Sequence, residues 1–392
     1  MRAPIFTVFR KEILENLRDR RTIFNALLMG PLLGPLLFIG LSSFMINRQM
    51  DKAEKPLEVS VIGAEYAPNL VEALKQQGLK PKPPVENPEQ KIRDQEEELI
   101  LRIPSDFSAS WRKGEMAQIE LLFDSSQRDS STPVERLNRM LERYNQRIGA
   151  MRLVARGLDP MIVSPISIGE RDFSTPQGRS ALLFSMLPYF LIITAFIGGM
   201  YLAIDTTAGE RERQSLEPLL INPVARWKIM GGKLMATFAF AMTSLCLGLL
   251  AFAASGKFLP AEKLAMTLEL GPRFALLTLL VMSPLVLLAS ALQTLIAAFA
   301  KSYREAQTYL SVLMLLPMLP TLFLGLVPLK AKLWMMVIPL LGQHMLITKL
   351  VRGETVSINE VALCIVCGYA IAFVICSLAA RVYSSERLAI SA

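Results

Sequence analysis

Six stretches free of charged residues, each 20 to 27 residues long, decide what this chain can become: Thr22 to Asn47, Ser180 to Ile204, Leu234 to Gly256, Phe274 to Ala300, Ala306 to Leu329 and Val361 to Ala380. A helix needs roughly 20 apolar residues to cross about 30 Å of hydrocarbon, where no water can satisfy an exposed backbone. The expected fold class is therefore an α-helical polytopic membrane protein with six transmembrane helices. Composition points the same way, with 19% charged residues against about 25% in ordinary soluble domains. A seventh run, Leu333 to Thr348, has only 16 residues and contains Pro339 and Gly342. It reads as a re-entrant or interfacial segment (333–348), a pair of short helices allowed at membrane depth only where protein packs against them.

Basic residues in short loops set orientation. With the N-terminus inside, the cytoplasmic segments 1–21, 205–233, 301–305 and 381–392 hold 15 Lys and Arg, against 7 in the short loops 257–273 and 330–360. Both termini are expected in the cytoplasm, in agreement with an even number of crossings. The first run, 22–47, follows a basic segment and exceeds the dimensions of a signal peptide, so it reads as a retained helix. Within 1–21, Ile5, Phe9, Ile13 and Leu17 recur every fourth residue. That spacing predicts an amphipathic helix lying in the inner interface. A solvated helix packed on a protein partner is the alternative.

Residues 48–179 have soluble composition and read as an inserted α/β (or α+β) extracytoplasmic domain. Strands are expected at Leu57–Ile62, Glu98–Ile103 and Gln118–Phe123, with a final one at Met161–Ile168, and helices at Ala67–Lys75, Ser105–Arg112 and 133–156. Pro81 to Pro88 reads as a loop. The whole chain carries +8, which invites a nucleic-acid partner, but the insert holds 20 basic and 21 acidic residues. No basic footprint remains there, and no nucleic acid is expected.

Catalysis finds no constellation. His344 is the one histidine, and Cys246, Cys364, Cys367 and Cys376 all lie in apolar runs. A paired-histidine zinc site and a disulfide framework are both excluded, and no metal site is expected. The Cys364/Cys367 pair reads as helix packing. The best phosphate-loop fragment, Gly231-Gly232-Lys233-Leu234, has Trp227 where the first glycine belongs and no Ser or Thr after the lysine. The chain is not an enzyme, and no cofactor is expected in it.

Between the second and third runs lies a segment of alternating charge with a leucine edge: Glu210, Arg211, Glu212, Arg213, Ser215, Leu216, Glu217, Leu219, Leu220, Pro223 and Arg226. It is suited to presenting a short amphipathic helix to a cytoplasmic partner. The segment resembles the coupling region of ABC type-2 exporter permeases, approximately E-R-E-x-G-T-L-E-x-L-L-x-x-P-V-x-R. Glu210, Arg211, Glu212, Leu216, Glu217, Leu219, Leu220, Pro223, Val224 and Arg226 match, while Gln214 replaces the usual Gly and Ser215 the commoner Thr. A second block, Phe9 to Ile13 and Leu17 to Thr22 before the Pro31/Pro35 span, is similar to the family's N-terminal region, most narrowly in its sodium-export permeases. The resemblance implies a bacterial inner-membrane permease that dimerises with a second copy or paralogue. It also implies separate ATPase subunits, which bind ATP and Mg and dock on 205–233, and efflux of sodium or a small molecule. A membrane-anchored sensor or assembly scaffold is the competing class.

Ionisable groups in spans mark function by default, and the six runs contain none. Ser185, Thr194, Thr237, Ser283, Ser290 and Gln293 are the candidates for a translocation path, with interhelical hydrogen bonding as the plainer role.

Overall fold

The computed structural model describes residues 4–54, 56–125, 131–163, 184–215, 223–256, 270–327, 329 and 331–384. The chain divides into two compact units, one of Met1–Ile46 with Phe173–Ala392 and one of Asn47–Asp172.

The first unit is helical. Among the described residues, six helices are long and apolar enough to cross a membrane: Arg20–Phe44, Leu187–Glu212, Arg226–Ser255, Pro272–Phe299, Tyr303–Leu324 and Ile358–Tyr383. Helix α1 (Pro4–Asn16) precedes them. Helix α2 (20–54) opens at Asp19, whose carboxylate accepts from the backbone N–H groups of Arg21 and Thr22 at 3.0 and 3.2 Å. A π-helical stretch, Ile23–Met29, follows within it. Its buried face repeats at helical spacing through Ala26, Gly30, Gly34 and Phe38, and the glycines let Ile197, Phe190 and Phe252 approach closely. Leu32, Leu33, Leu36, Leu37 and Leu41 on the other face are exposed, as a lipid-facing side requires.

Helices α7 (Leu187–Glu212), α8 (Arg226–Ser255) and α9 (Pro272–Phe299) form the packed centre of this unit. Gly198 sets the α7–α8 approach, since a Cβ there would lie 2.4 Å from Cβ of Ser244. The fifth run is not one straight helix. Helix α10 (Tyr303–Leu313) stops in a turn at 314–317 ending on Pro317, and α11 (Met318–Leu326) continues. Proline cannot supply the N–H that would carry the helix through.

Segment 333–348 folds as a 3-10 turn, Leu333–Val337, and helix α12 (Leu341–Val351), separated by Ile338, Pro339 and Leu340. Gly342 is required there, because a Cβ would meet the Met336 carbonyl oxygen at 2.8 Å. Helix α13 (Ile358–Ser384) closes the unit, with Gly368 against the ring of Pro284. Cys364 is buried among Val281, Met335, Met336, Met345 and Leu346, an apolar packing position.

The second unit is α/β. Strands β1 (Leu57–Ile62), β2 (Leu79–Lys82), β3 (Leu99–Arg102) and β4 (Glu120–Phe123) form one sheet in the order β2-β1-β3-β4. β1 pairs in parallel with β2 and β3, while β4 is antiparallel to β3. Helices α3 (Pro68–Gln76), α4 (Pro88–Arg93), α5 (Phe107–Lys113) and α6 (Ser131–Val154) accompany it, and Val59, Val61, Leu74, Leu101, Ile103 and Leu137 anchor the core.

Two expectations change here. Pro81 lies inside β2, which is tolerated because β2 is an edge strand and needs no N–H on its open side. The strand expected from Met161 begins instead as a 3-10 turn, Pro160–Val163, because Asp159 Oδ1 accepts from the Met161 N–H at 2.8 Å and folds the chain back. Its remainder, 164–168, lies outside the described residues.

Candidate functional site

Helix α7 does not stop where its apolar run stops. It passes through a π-helical turn, Asp205–Gly209, and ends on Glu210–Glu212, so the alternating charges are carried on the end of a crossing-length helix. Three of the four turn to other helices and the fourth back to its own. Glu210 is buried and pairs with Lys233 of α8, which is fully buried. The Lys233 ammonium also donates to the Thr206 carbonyl oxygen at 2.6 Å and lies 5.6 Å from the ring of Tyr383 on α13. Arg211 donates to the carbonyl oxygen of Ala300 at 3.3 Å, just past the end of α9. Glu212 accepts from the N–H of Tyr303 at 2.6 Å, at the start of α10. Arg213 pairs with Asp205 at 2.8 Å. Arg211 and Glu212 therefore cap neighbouring helix ends, where orphan backbone groups and dipoles need partners, while Glu210 neutralises a buried lysine two turns inside α8.

Helix α1 enters the same cluster. Gly232 admits it: a Cβ at that position would lie 2.7 Å from Cβ of Val8 and 2.9 Å from the Ile5 carbonyl oxygen. Glu12 is 2% exposed, and Lys11 bridges Glu12 at 3.3 Å to Glu210 at 3.5 Å. Asn16, also buried, donates to the Glu12 carbonyl oxygen. Burial raises the Glu12 carboxyl above its ordinary value, with the charges of Lys233 and Lys11 acting in opposition. Lys11 loses some stability as a cation through partial burial, but Glu12, Glu210 and Glu15 outweigh this and raise it. Of the four residues at every fourth position, Ile5, Phe9 and Ile13 are half-buried, with Phe9 and Ile13 against the cluster of Ala26, Leu202, Ala236 and Phe240. Leu17 is exposed, as are Phe6 and Leu14.

At Gln214 the backbone is left-handed, with φ 55°, directly after the helix end. A glycine adopts that conformation without strain, which accounts for the commoner glycine at this point of the pattern. Ser215 then bonds back to the Glu210 carbonyl oxygen through its N–H at 2.9 Å. Leu216, Glu217, Leu219 and Leu220 lie outside the described residues. Pro223 is exposed, and Arg226 opens α8 half-buried. The fragment Gly231 to Leu234 lies within α8 and not in the loop that phosphate binding needs.

The hydroxyl and amide candidates sit in helix packing. Thr194 donates to Phe190 and Gly30 carbonyls, Thr237 to Lys233, Ser283 to Leu280 and Ser290 to Val286. Gln293 crosses from α9 to α7 and donates to the Phe196 carbonyl oxygen at 2.7 Å. Ser283 also accepts from the Tyr369 hydroxyl at 2.8 Å. Ser185 is exposed on a turn before α7.

Glu12, Lys233 and Tyr383 escaped sequence reasoning because each sits at or beyond the edge of a charge-free run. A signal was present. Glu12 and Asn16 fall in helical phase with Val8 and Phe9, and Lys233 in phase with Ile229 and Met230, so polar groups occupy core-facing positions.

Residues 27–381 match the family model described as ABC-2 family transporter protein. The chain belongs to the ABC-2 transporter family. Among curated proteins, this ABC-2 chain is similar to the ABC transporter permease protein NatB of Bacillus subtilis (strain 168), 28% identical over 353 residues, covering 88% of this chain and 89% of that protein. No solved structure matches.

Proposed function

We propose that this ABC-2 chain is the permease subunit of an ATP-driven exporter, worked by separate ATPase subunits that dock on 205–233. The observation that supports this is the bracket made by Glu210, Arg211 and Glu212. It ties one short segment to the body of α8 and to the ends of α9 and α10, so a push on the adjoining leucines is delivered to several crossing helices at once. In this reading Leu216, Leu219, Leu220 and Glu217 meet the ATPase, while the charges before them hold the permease's own helices. ATP and Mg belong to the ATPase chains.

The coupling segment lies on the cytoplasmic side of a bacterial inner membrane, with both termini there and the α/β domain on the far side. The functional unit contains a second permease copy or paralogue. Sodium or a small molecule is the cargo to test first, and Ser283, Ser290 and Gln293 remain candidates for groups exposed when the bundle opens. The test combines Leu216→Asp with Glu217→Lys. Loss of ATPase co-purification and of cargo-stimulated ATP turnover, with thermal stability retained, is expected. Wild-type co-purification with full coupled turnover would overturn the proposal.

A further inference from the structure

The α/β domain leaves one end of its longest helix uncovered. Core contacts of α6 run through Val134, Leu137, Met140, Leu141 and Tyr144. Arg152 then covers Trp111, its guanidinium 4.4 Å from the ring centre. Beyond these, Met151, Val154 and Leu158 are 52%, 62% and 47% exposed. Gly157, at φ 73°, ends the helix, and the turn Pro160–Val163 presents Met161 and Ile162, 72% and 64% exposed. Five large apolar side chains thus face outward within twelve residues.

The surrounding charge selects the occupant. From residue 143 to 163 the chain carries Arg143, Arg147, Arg152 and Arg156 against one carboxylate, Asp159, whose Oδ1 accepts from the Met161 N–H. Arg147, Met151 and Val154 follow at i, i+4 and i+7, so a cation borders the apolar stripe, and Arg156 is exposed beside it. Basic residues around exposed Met, Leu and Ile are the pattern of a surface that lies in a membrane interface, where hydrocarbon and anionic phosphate are met together. The domain is also joined at both chain ends to helices of crossing length, which holds a bilayer at high effective concentration.

We propose that this end of the domain is a lipid-docking surface that sinks Met151, Val154, Leu158, Met161 and Ile162 into the headgroup boundary of a leaflet containing anionic lipid, with Arg147 and Arg156 on its phosphates. The surface requires neither ATP nor cargo, so it stands apart from the transport reading.

The test uses the full chain with its four cysteines replaced by alanine and one environment-sensitive thiol probe at Met161→Cys, in vesicles of phosphatidylethanolamine with phosphatidylglycerol. A probe at Glu72→Cys, exposed on α3, is the control. Spin-labelled lipid is expected to quench most of the fluorescence at 161 and little at 72, with iodide doing the reverse. Arg147→Glu with Arg156→Glu is expected to abolish the lipid quenching at 161 while the control is unchanged. Iodide quenching at 161 equal to that at 72 overturns the proposal. So does shielding from both quenchers with cysteine cross-linking between two copies, which would assign the surface to a second copy of the chain.

Discussion

Lys233 on α8 and Glu210 on α7 form a buried ion pair in which the lysine has no solvent exposure and the Thr206 carbonyl oxygen supplies a second acceptor. Removing one member of a buried pair typically costs about 3–5 kcal/mol, part of which is offset here by Lys11, 3.5 Å from Glu210, and by the Thr206 carbonyl oxygen on Lys233, whereas replacing both by neutral groups of similar volume is far milder. Lys233→Met is expected to be strongly destabilising, and Glu210→Gln likewise. The double variant should recover most of the loss. Thermal unfolding of the detergent-solubilised protein, arranged as a double-mutant cycle, checks this; additive losses would contradict the pairing.

Gln214 holds a backbone conformation that a glycine adopts without strain. Gln214→Gly is expected to be neutral to stabilising by up to about 1 kcal/mol, and Gln214→Val destabilising, since a β-branched residue is an outlier there. Midpoints of thermal unfolding for the two variants should fall on opposite sides of the parent or, for the glycine, on it.

Gly232 is where α1 meets α8. Gly232→Ala places a methyl group against a backbone oxygen as well as Val8, so trimming Val8→Ala should not rescue it. Overpacking of this kind costs typically about 1–3 kcal/mol. The expected sign is early protease cleavage within residues 4–16 in the variant, with the remaining helices still resistant.

Asp19 caps α2 through Arg21 and Thr22, and Asp19→Ala is expected to lose about 0.5–2 kcal/mol. The hydrogen bond from the Thr22 hydroxyl, at 2.6 Å, is the main reason the Asp19 carboxyl titrates below its ordinary value. A lowered folded value means the carboxylate's contribution is complete above the unfolded pKa and disappears as pH falls through the folded one. The stability gap between parent and Asp19→Ala should therefore close in acid, as unfolding midpoints measured against pH would show.

The crossings were legible because a charge-free run is a direct consequence of the solvent that surrounds it. β1, α3, β3, α5, β4 and α6 were legible from periodicity in a domain with one clear core. β2 was hidden by Pro81, and α4 is a single short helix with no periodic pattern. The ionic cluster was hidden for a different reason. Reading spans by the absence of charge stops each helix at its first ionisable residue, yet α7 and α8 continue past Asp205 and upstream of Leu234, and the interior positions they gain are those of Glu210 and Lys233. Glu12 was missed because only the apolar positions Ile5, Phe9, Ile13 and Leu17 of α1 were weighed, and its buried face also carries Glu12 and Asn16. Of the translocation candidates, Thr194, Thr237, Ser283, Ser290 and Gln293 are buried and Ser185 is exposed, but hydroxyl residues satisfy nearby carbonyls so readily that their presence in a span does not distinguish a path from packing.

The two members of the buried pair lie on consecutive helices and are separated by 22 intervening residues of chain. During biosynthesis they leave the ribosome almost together, so α7 and α8 can enter the lipid as a hairpin whose opposite charges have already met. Once paired, neither charge faces the membrane edge alone, so insertion of this part of the chain is expected to proceed two helices at a time.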